Sequence, residues 1–251
     1  MINYKRRIGL AALVLVSACA AHTAPQNTSG EEKRNYFTKG EIDAVYDATF
    51  RVDTDVTLEE KVDNDNDFEK SWFGSGTLLV DSQTGDSYIL TAEHVTPDAT
   101  YTNNETRKTA RVTKGKMQVR GLYEASIVKE NEVDDLALLR VIGPITDENG
   151  QPARPFKGKI AQKIESGDYV VGVGFPAGSK ELFNTSVKKI ADDRIYLNIH
   201  IVGGNSGGGM YCISERKDFE LCSVVINTNN TPSLRTVRGF LGGTPLADDY
   251  L

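Results

Sequence analysis

The stretch of this chain best suited to covalent chemistry is a serine set among glycines, Gly204-Asn205-Ser206-Gly207-Gly208. A serine hydroxyl is a weak nucleophile until a base takes its proton, and that base needs a third group to fix its tautomer. Flanking glycines permit a left-handed backbone and leave room for an approaching chain. The sequence contains three histidines, His22, His94 and His200, and all of them precede Ser206. His22 lies in a polar stretch near the N-terminus, so His94 and His200 are the candidate bases. Asp134 and Asp135 stand between His94 and Ser206. Either could supply the third group, or both could form a solvated loop ahead of a buried strand.

Read literally, the serine phrase also fits Gly-x-Ser-x-Gly, the nucleophile elbow of α/β-hydrolases. Those enzymes carry their acid and then their histidine downstream of the serine. No histidine follows Ser206, which excludes that reading. The order His, Asp, Ser is instead that of the chymotrypsin architecture.

The elements that must position these residues are mostly strands. Strand signals occur at 87–91, 117–122, 136–141, 169–173, 194–200 and 222–227, separated by turn phrases such as Thr84-Gly85-Asp86. Helical periodicity is confined to 39–48, with Thr38 placed to cap it. Many short strands without strand–helix alternation predict an all-β double barrel with few short helices, and the His, Asp, Ser order makes the expected barrel pair chymotrypsin-like. The expected division is an N-terminal barrel over 39–143 carrying the His and Asp, a linker over 144–157, and a C-terminal barrel over 158–251 carrying the Ser. About 210 residues are enough for two small barrels with a real core.

The contexts of the three residues resemble the trypsin-like serine proteases, and within them the bacterial HtrA (Deg) branch. Ser75-Gly76-Thr77-Leu78-Leu79-Val80 with Tyr88-Ile89-Leu90-Thr91-Ala92-Glu93-His94-Val95 is similar to the hairpin that carries the family's histidine. Asp135-Leu136-Ala137-Leu138-Leu139 resembles the strand start that carries its aspartate. Gly167-Asp168-Tyr169-Val170-Val171-Gly172-Val173-Gly174-Phe175-Pro176-Ala177-Gly178 and Val225-Ile226-Asn227-Thr228 resemble later strands. The likeness covers about residues 70–240 in five ordered blocks. It implies His94 as general base and acid, Asp135 as its orienting group, Ser206 as nucleophile, and the backbone N–H groups of Gly204 and Ser206 as the oxyanion hole. Asn205 replaces the aspartate of the digestive enzymes, which implies a site independent of zymogen cleavage. The resemblance further implies a substrate pocket walled by His200, Ile201, Ile226 and Asn227. Ile201 there favours an aliphatic side chain, whereas an inward His200 would favour an acidic one and an outward His200 neither. The chain ends without the PDZ module usual in that branch. A catalytically silent binding module on the same fold is the rival reading, which an intact His94, Asp135 and Ser206 argue against.

Residues 1–18 read as an export signal, with Lys5, Arg6 and Arg7 ahead of an apolar run too short to span a bilayer. Val16-Ser17-Ala18-Cys19 resembles a lipobox, which implies acylation at Cys19 and a lipid anchor in a membrane; an ordinary signal cleaved after Ala18 or Ala21 is the alternative. Residues 19–38 read as a polar tether spanning roughly 25 Å. The expected location is the cell envelope. Removing residues 1–18 leaves 26 basic against 35 acidic side chains, a balance that disfavours nucleic-acid binding.

Cys212 and Cys222 flank a charged hairpin tip and are placed for a disulfide, or else remain two buried thiols. The acidic run at residues 63–67 lacks the Gly and Glu of a calcium loop, Phe68 and Gly74 standing in those places. Without a His/Cys cluster, neither a metal nor another cofactor is expected. A polypeptide is the expected partner.

Overall fold

The computed structural model describes residues 37–60, 68–103, 105–147, 149–213, 219–226 and 230–251. The export signal, Cys19, the tether as far as residue 36, the acidic run at 63–67 and the pocket residue Asn227 lie outside the described residues.

A capped helix, α1 (Lys39–Ala48), opens the described chain. Thr38 accepts the Glu41 N–H while the Glu41 carboxylate takes the Thr38 N–H, a reciprocal capping box. Seven strands follow: β1 (Thr49–Leu58), β2 (Glu69–Val80), β3 (Ser87–Thr91), β4 (Thr100–Thr102), β5 (Thr109–Val119), β6 (Tyr123–Asn131) and β7 (Leu136–Val141). They form one antiparallel sheet in the order β1-β2-β3-β7-β6-β5-β4, and a further β1–β5 pairing closes it into a six-stranded barrel. The second unit comprises β8 (Tyr169–Gly174), β9 (Glu181–Ala191), β10 (Arg194–Leu197), β11 (Gly209–Ile213), β12 (Phe219–Val224) and β13 (Asn230–Pro232). Their order is β12-β11-β8-β9-β10-β13, a half-barrel whose edges meet where the Ser223 hydroxyl donates to the Pro232 carbonyl at 2.6 Å. The fold is thus the all-β, chymotrypsin-like double barrel that the sequence predicts.

Several strands are apolar on both faces, and the period-2 geometry of a strand explains why. On β7, Ala137 and Leu139 point into the first barrel, while Leu136 and Leu138 point into a seam core between the two units. On β3, Ile89 faces the barrel and Tyr88 and Leu90 face the seam; on β2, Leu78 and Leu79 divide in the same way. The half-barrel alternates likewise, with Met210 and Cys212 inside it and Tyr211 in the seam. Each buried Leu or Ile contributes roughly 1.5–3 kcal/mol. The seam is therefore a core in its own right.

Helices complete the seam. α1 supplies Val45 and Ala48. Two C-terminal helices, α2 (Leu234–Leu241) and α3 (Ala247–Tyr250), correct the expectation of helix at 39–48 alone. Ser233 caps α2, which buries Leu234, Val237, Phe240 and Leu241 along one face. An eight-residue helix holding Gly239 gives too short a periodic signal to stand out from its sequence. The Tyr250 hydroxyl donates to the Phe156 carbonyl at 3.0 Å and accepts the Val80 N–H at 3.0 Å. The C-terminus thereby returns to the first barrel and the inter-barrel segment.

The expected disulfide is not formed. Cys212 and Cys222 are free, buried thiols inside the half-barrel. A register shift between Met210 and Tyr211 pairs Cys212 with Glu220, so the two cysteines are not directly opposed. Burial, with a hydrogen bond and charge from Cys212, holds the Cys222 thiol well above its ordinary range. In a Cys19→Ser protein, Ellman's reagent is expected to titrate two thiols after denaturation and essentially none before. A single fast-reacting native thiol would contradict this arrangement.

Candidate active site

Strand register explains why His94 and Asp135 meet. Thr91, the last residue of β3, pairs with Ala137 at the start of β7 and with Gly76 on β2. His94 follows that row in a 3-10 turn (Glu93–Val95), and Asp135 immediately precedes β7. Both therefore emerge at one end of the same wall. The Asp135 carboxylate accepts from the His94 main-chain N–H at 3.0 Å and lies 2.8 Å from ring Nδ1. With Nδ1–H given to Asp135, Nε2 carries the free lone pair. Asp135 adopts φ +56°, a left-handed conformation that aspartate tolerates better than most residues. Asp134 is engaged elsewhere, bonded to the Asn131 side chain through both its N–H and its carboxylate. That separates the two neighbouring aspartates.

The Ser206 loop consists of two successive turns. Asn205 N–H bonds to the Val202 carbonyl at 3.4 Å, and Gly208 N–H bonds to the Asn205 carbonyl at 2.9 Å. Gly204 (φ +90°) and Gly207 (φ +86°) each take the left-handed third position, the pattern of a type II turn. A Cβ at Gly207 would lie 1.9 Å from the Ser75 carbonyl oxygen, so only glycine fits there. The spacing Gly204-Asn205-Ser206-Gly207 is thus the sequence of two overlapping turns with the serine on the corner between them. The N–H groups of Gly204 and Ser206 and the Ser206 hydroxyl bond to no other described residue. The loop is brought to the His94 side by the Ser75 N–H, which donates to the Ser206 carbonyl at 2.6 Å. No hydrogen bond links Ser206 Oγ to His94 in this resting arrangement; such bonds are often loose until substrate closes them.

Residues 74–216 match the family model described as the trypsin-like peptidase domain. The chain belongs to that family. No curated protein matches it.

In this trypsin-like peptidase the environment of His94 is anionic. Burial opposes its charged form, but the hydrogen bond and charge of Asp135, aided by Glu93 and Asp98, outweigh it and raise the imidazole above its ordinary value of 6.5. Asp135 is itself held below the usual carboxylate range, its burial outweighed by bonds from the His94 ring and main chain. Glu93 is nearly buried beside them. Burial first, then the charge and hydrogen bond of Asp98, with smaller contributions from Asp135 and Glu130, push its carboxyl up to about 7. Sequence reading assigned Glu93 no role, although a carboxylate at the end of an apolar strand was a visible signal. Among the described residues, no three His, Cys, Asp or Glu side chains converge to hold a metal ion.

Of the residues expected to wall a substrate pocket, three are described. Ile201 is buried in the half-barrel core, Ile226 packs into the core of the first barrel, and His200 is exposed. A cavity of about 940 Å³ lies beside the Ser206 loop, on the side of Gly204. Arg51, Phe73, Phe175 and Lys180 line it, and a Cβ placed on Gly204 would touch both Phe73 and the Phe175 carbonyl. Its charges are largely paired, with Arg51 2.6 Å from Asp53 and Arg154 3.5 Å from Asp47.

Glu93 makes a signed prediction about stability. Its folded-state pKa exceeds its unfolded value, so it opposes folding as pH rises from about 4.5 to above 7. Glu93→Gln is expected to gain on the order of 2–3 kcal/mol over the wild type at pH 8, and little at pH 4.5. Urea denaturation at the two pH values measures it; an equal difference at both would contradict the assignment.

Proposed function

We propose that this trypsin-like peptidase is a serine endopeptidase working through His94, Asp135 and Ser206. The observation that carries the reading is the coincidence at one place of three things. A histidine is oriented by a carboxylate, and beside it a serine hydroxyl and two main-chain N–H groups have no bonding partner among the described residues. Ser206 Oγ attacks the scissile carbonyl while His94 Nε2 takes its proton. The Gly204 and Ser206 N–H groups receive the tetrahedral oxyanion, each such donor being worth about 2.7–4 kcal/mol. His94 then passes the proton to the leaving amine, and water resolves the acyl-enzyme by the reverse sequence. Asp135 keeps Nδ1 protonated and stabilises the imidazolium; it does not itself take the proton. The cavity beside Gly204 offers room for the departing half of the substrate.

The finer reading places the enzyme close to the HtrA branch, supported by the motif blocks and by Asn205. It is tethered in the cell envelope through an acylated Cys19, supported by the basic start, apolar run and Val16-Ser17-Ala18-Cys19. Because a neutral Asn205 stands where the digestive enzymes carry an aspartate, activity is expected without proteolytic activation.

Two measurements test these proposals. A fluorophosphonate probe is expected to label wild-type protein but not Ser206→Ala, and Asp135→Asn should slow labelling by roughly 10⁴-fold through loss of the correct tautomer. Folded wild-type protein that never labels would instead identify a silent binding module. Separately, Cys19→Ser should move the protein from the membrane fraction to the soluble one; unchanged fractionation would remove the lipid anchor.

A further inference from the structure

Ser75 has every polar group engaged at the site, although the reaction above gives it no part. It is fully buried on β2. Its N–H donates to the Ser206 carbonyl at 2.6 Å, and its own carbonyl accepts the Thr91 hydroxyl at 2.7 Å. Its hydroxyl donates to the Gly204 carbonyl at 2.7 Å and accepts the Phe175 N–H at 2.9 Å. One residue of the first barrel thus holds the carbonyls of Gly204 and Ser206 in the second, together with the strand that leads to His94.

The hydroxyl contact matters because of where it falls. Gly204 has no Cβ to restrict its backbone, so its N–H direction is set only by what fixes the peptide on either side. The Gly204–Asn205 peptide is planar. Its N–H end is bonded to the Val202 carbonyl, and its C=O end is bonded to Ser75 Oγ. With both ends fixed, this peptide plane and the Gly204 Cα are fixed; the Gly204 N–H, which belongs to the preceding Gly203–Gly204 peptide, is then left only rotation about the Gly204 N–Cα bond. We propose that Ser75 is a positioning residue for the oxyanion-binding loop, its hydroxyl tying the Gly204 carbonyl to the Phe175 N–H across the barrel seam. The inference rests on the serine-endopeptidase reading and adds to it a residue that touches no reacting atom. It also gives Phe175 a defined part, since the same hydroxyl sets the main chain along the cavity wall.

The test compares Ser75→Ala with Ser223→Ala, which removes another buried hydroxyl bond, to Pro232, away from the loop. Fluorophosphonate inactivation separates binding of the probe from the chemical step. Ser75→Ala is expected to lower the maximal inactivation rate about 10–100-fold, the scale of a small misplacement of a catalytic donor, with probe affinity unchanged. Ser223→Ala should leave both values at wild-type level. In parallel, amide exchange at Asn205 and Phe175 should quicken about tenfold in Ser75→Ala alone, the factor given by loss of one hydrogen bond. Equal inactivation rates in Ser75→Ala and wild type, or an equal loss in Ser223→Ala, would overturn the proposal. Wild-type protein that folds but never reacts would sink the endopeptidase reading instead. The exchange measurement would then decide by itself whether Ser75 holds the loop.

Discussion

The molecule depends on a wall of three strands, β2, β3 and β7, that serves two cores at once. Alternate side chains on these strands enter the first barrel and the seam, so any slip of one residue would exchange the two sets. Such a slip would put Leu138 where Leu139 belongs and send the polar edge of the wall to the wrong end. Register is therefore specified twice, once by each core. The row Gly76–Thr91–Ala137 is where that double specification becomes chemical, because the site residues follow from it within a few positions.

A seam core also answers a problem of assembly. The residues at the site come from two units, and hydrogen bonds across the seam are short-range and directional. They hold only if the units are already seated. The apolar seam, with α1, α2 and α3 packed into it, supplies the seating without demanding exact angles. The polar bonds from β2 to the Ser206 loop then select one alignment among the near ones. The division of labour is general: burial provides most of the energy, and buried hydrogen bonds provide the specificity, because leaving one unmade costs more than making it gains.

What could be read from the sequence follows the same division. His94, Asp135 and Ser206 were legible because each sits within a few residues of an apolar strand or a glycine turn, features with strong local signatures. Gly204 and Gly207 were legible for the reason that no other residue suits their φ. The cores that Ile201 and Ile226 join were not legible, since which face of a strand end either residue turns toward depends on packing between units. Ile201 went to one core and Ile226 to another. The cysteine pairing failed on strand register, because Cys212 faces Glu220 across the β11–β12 ladder, and a hairpin's register has no marker in the two cysteines themselves. Ser75 lay inside a recognised motif, yet its hydroxyl partners are 100 and 129 residues away, and nothing local announces them.

The acids around His94 complete the electrostatic account. Asp135 is ionised well below neutrality, so it sets a constant field on the imidazole. Glu93 differs, because its carboxyl is poised at about 7, and it lies beside an imidazole that is itself raised above its ordinary value. Loss of a proton from Glu93 adds negative charge near the imidazole and strengthens that ring's hold on its own proton. Loss of a proton from His94 makes ionisation of Glu93 less favourable in turn. The charge on each group therefore acts on the other. The burial that makes Glu93 expensive to ionise also ties the folding equilibrium to the site, since the same ionisation that costs stability places a charge beside His94.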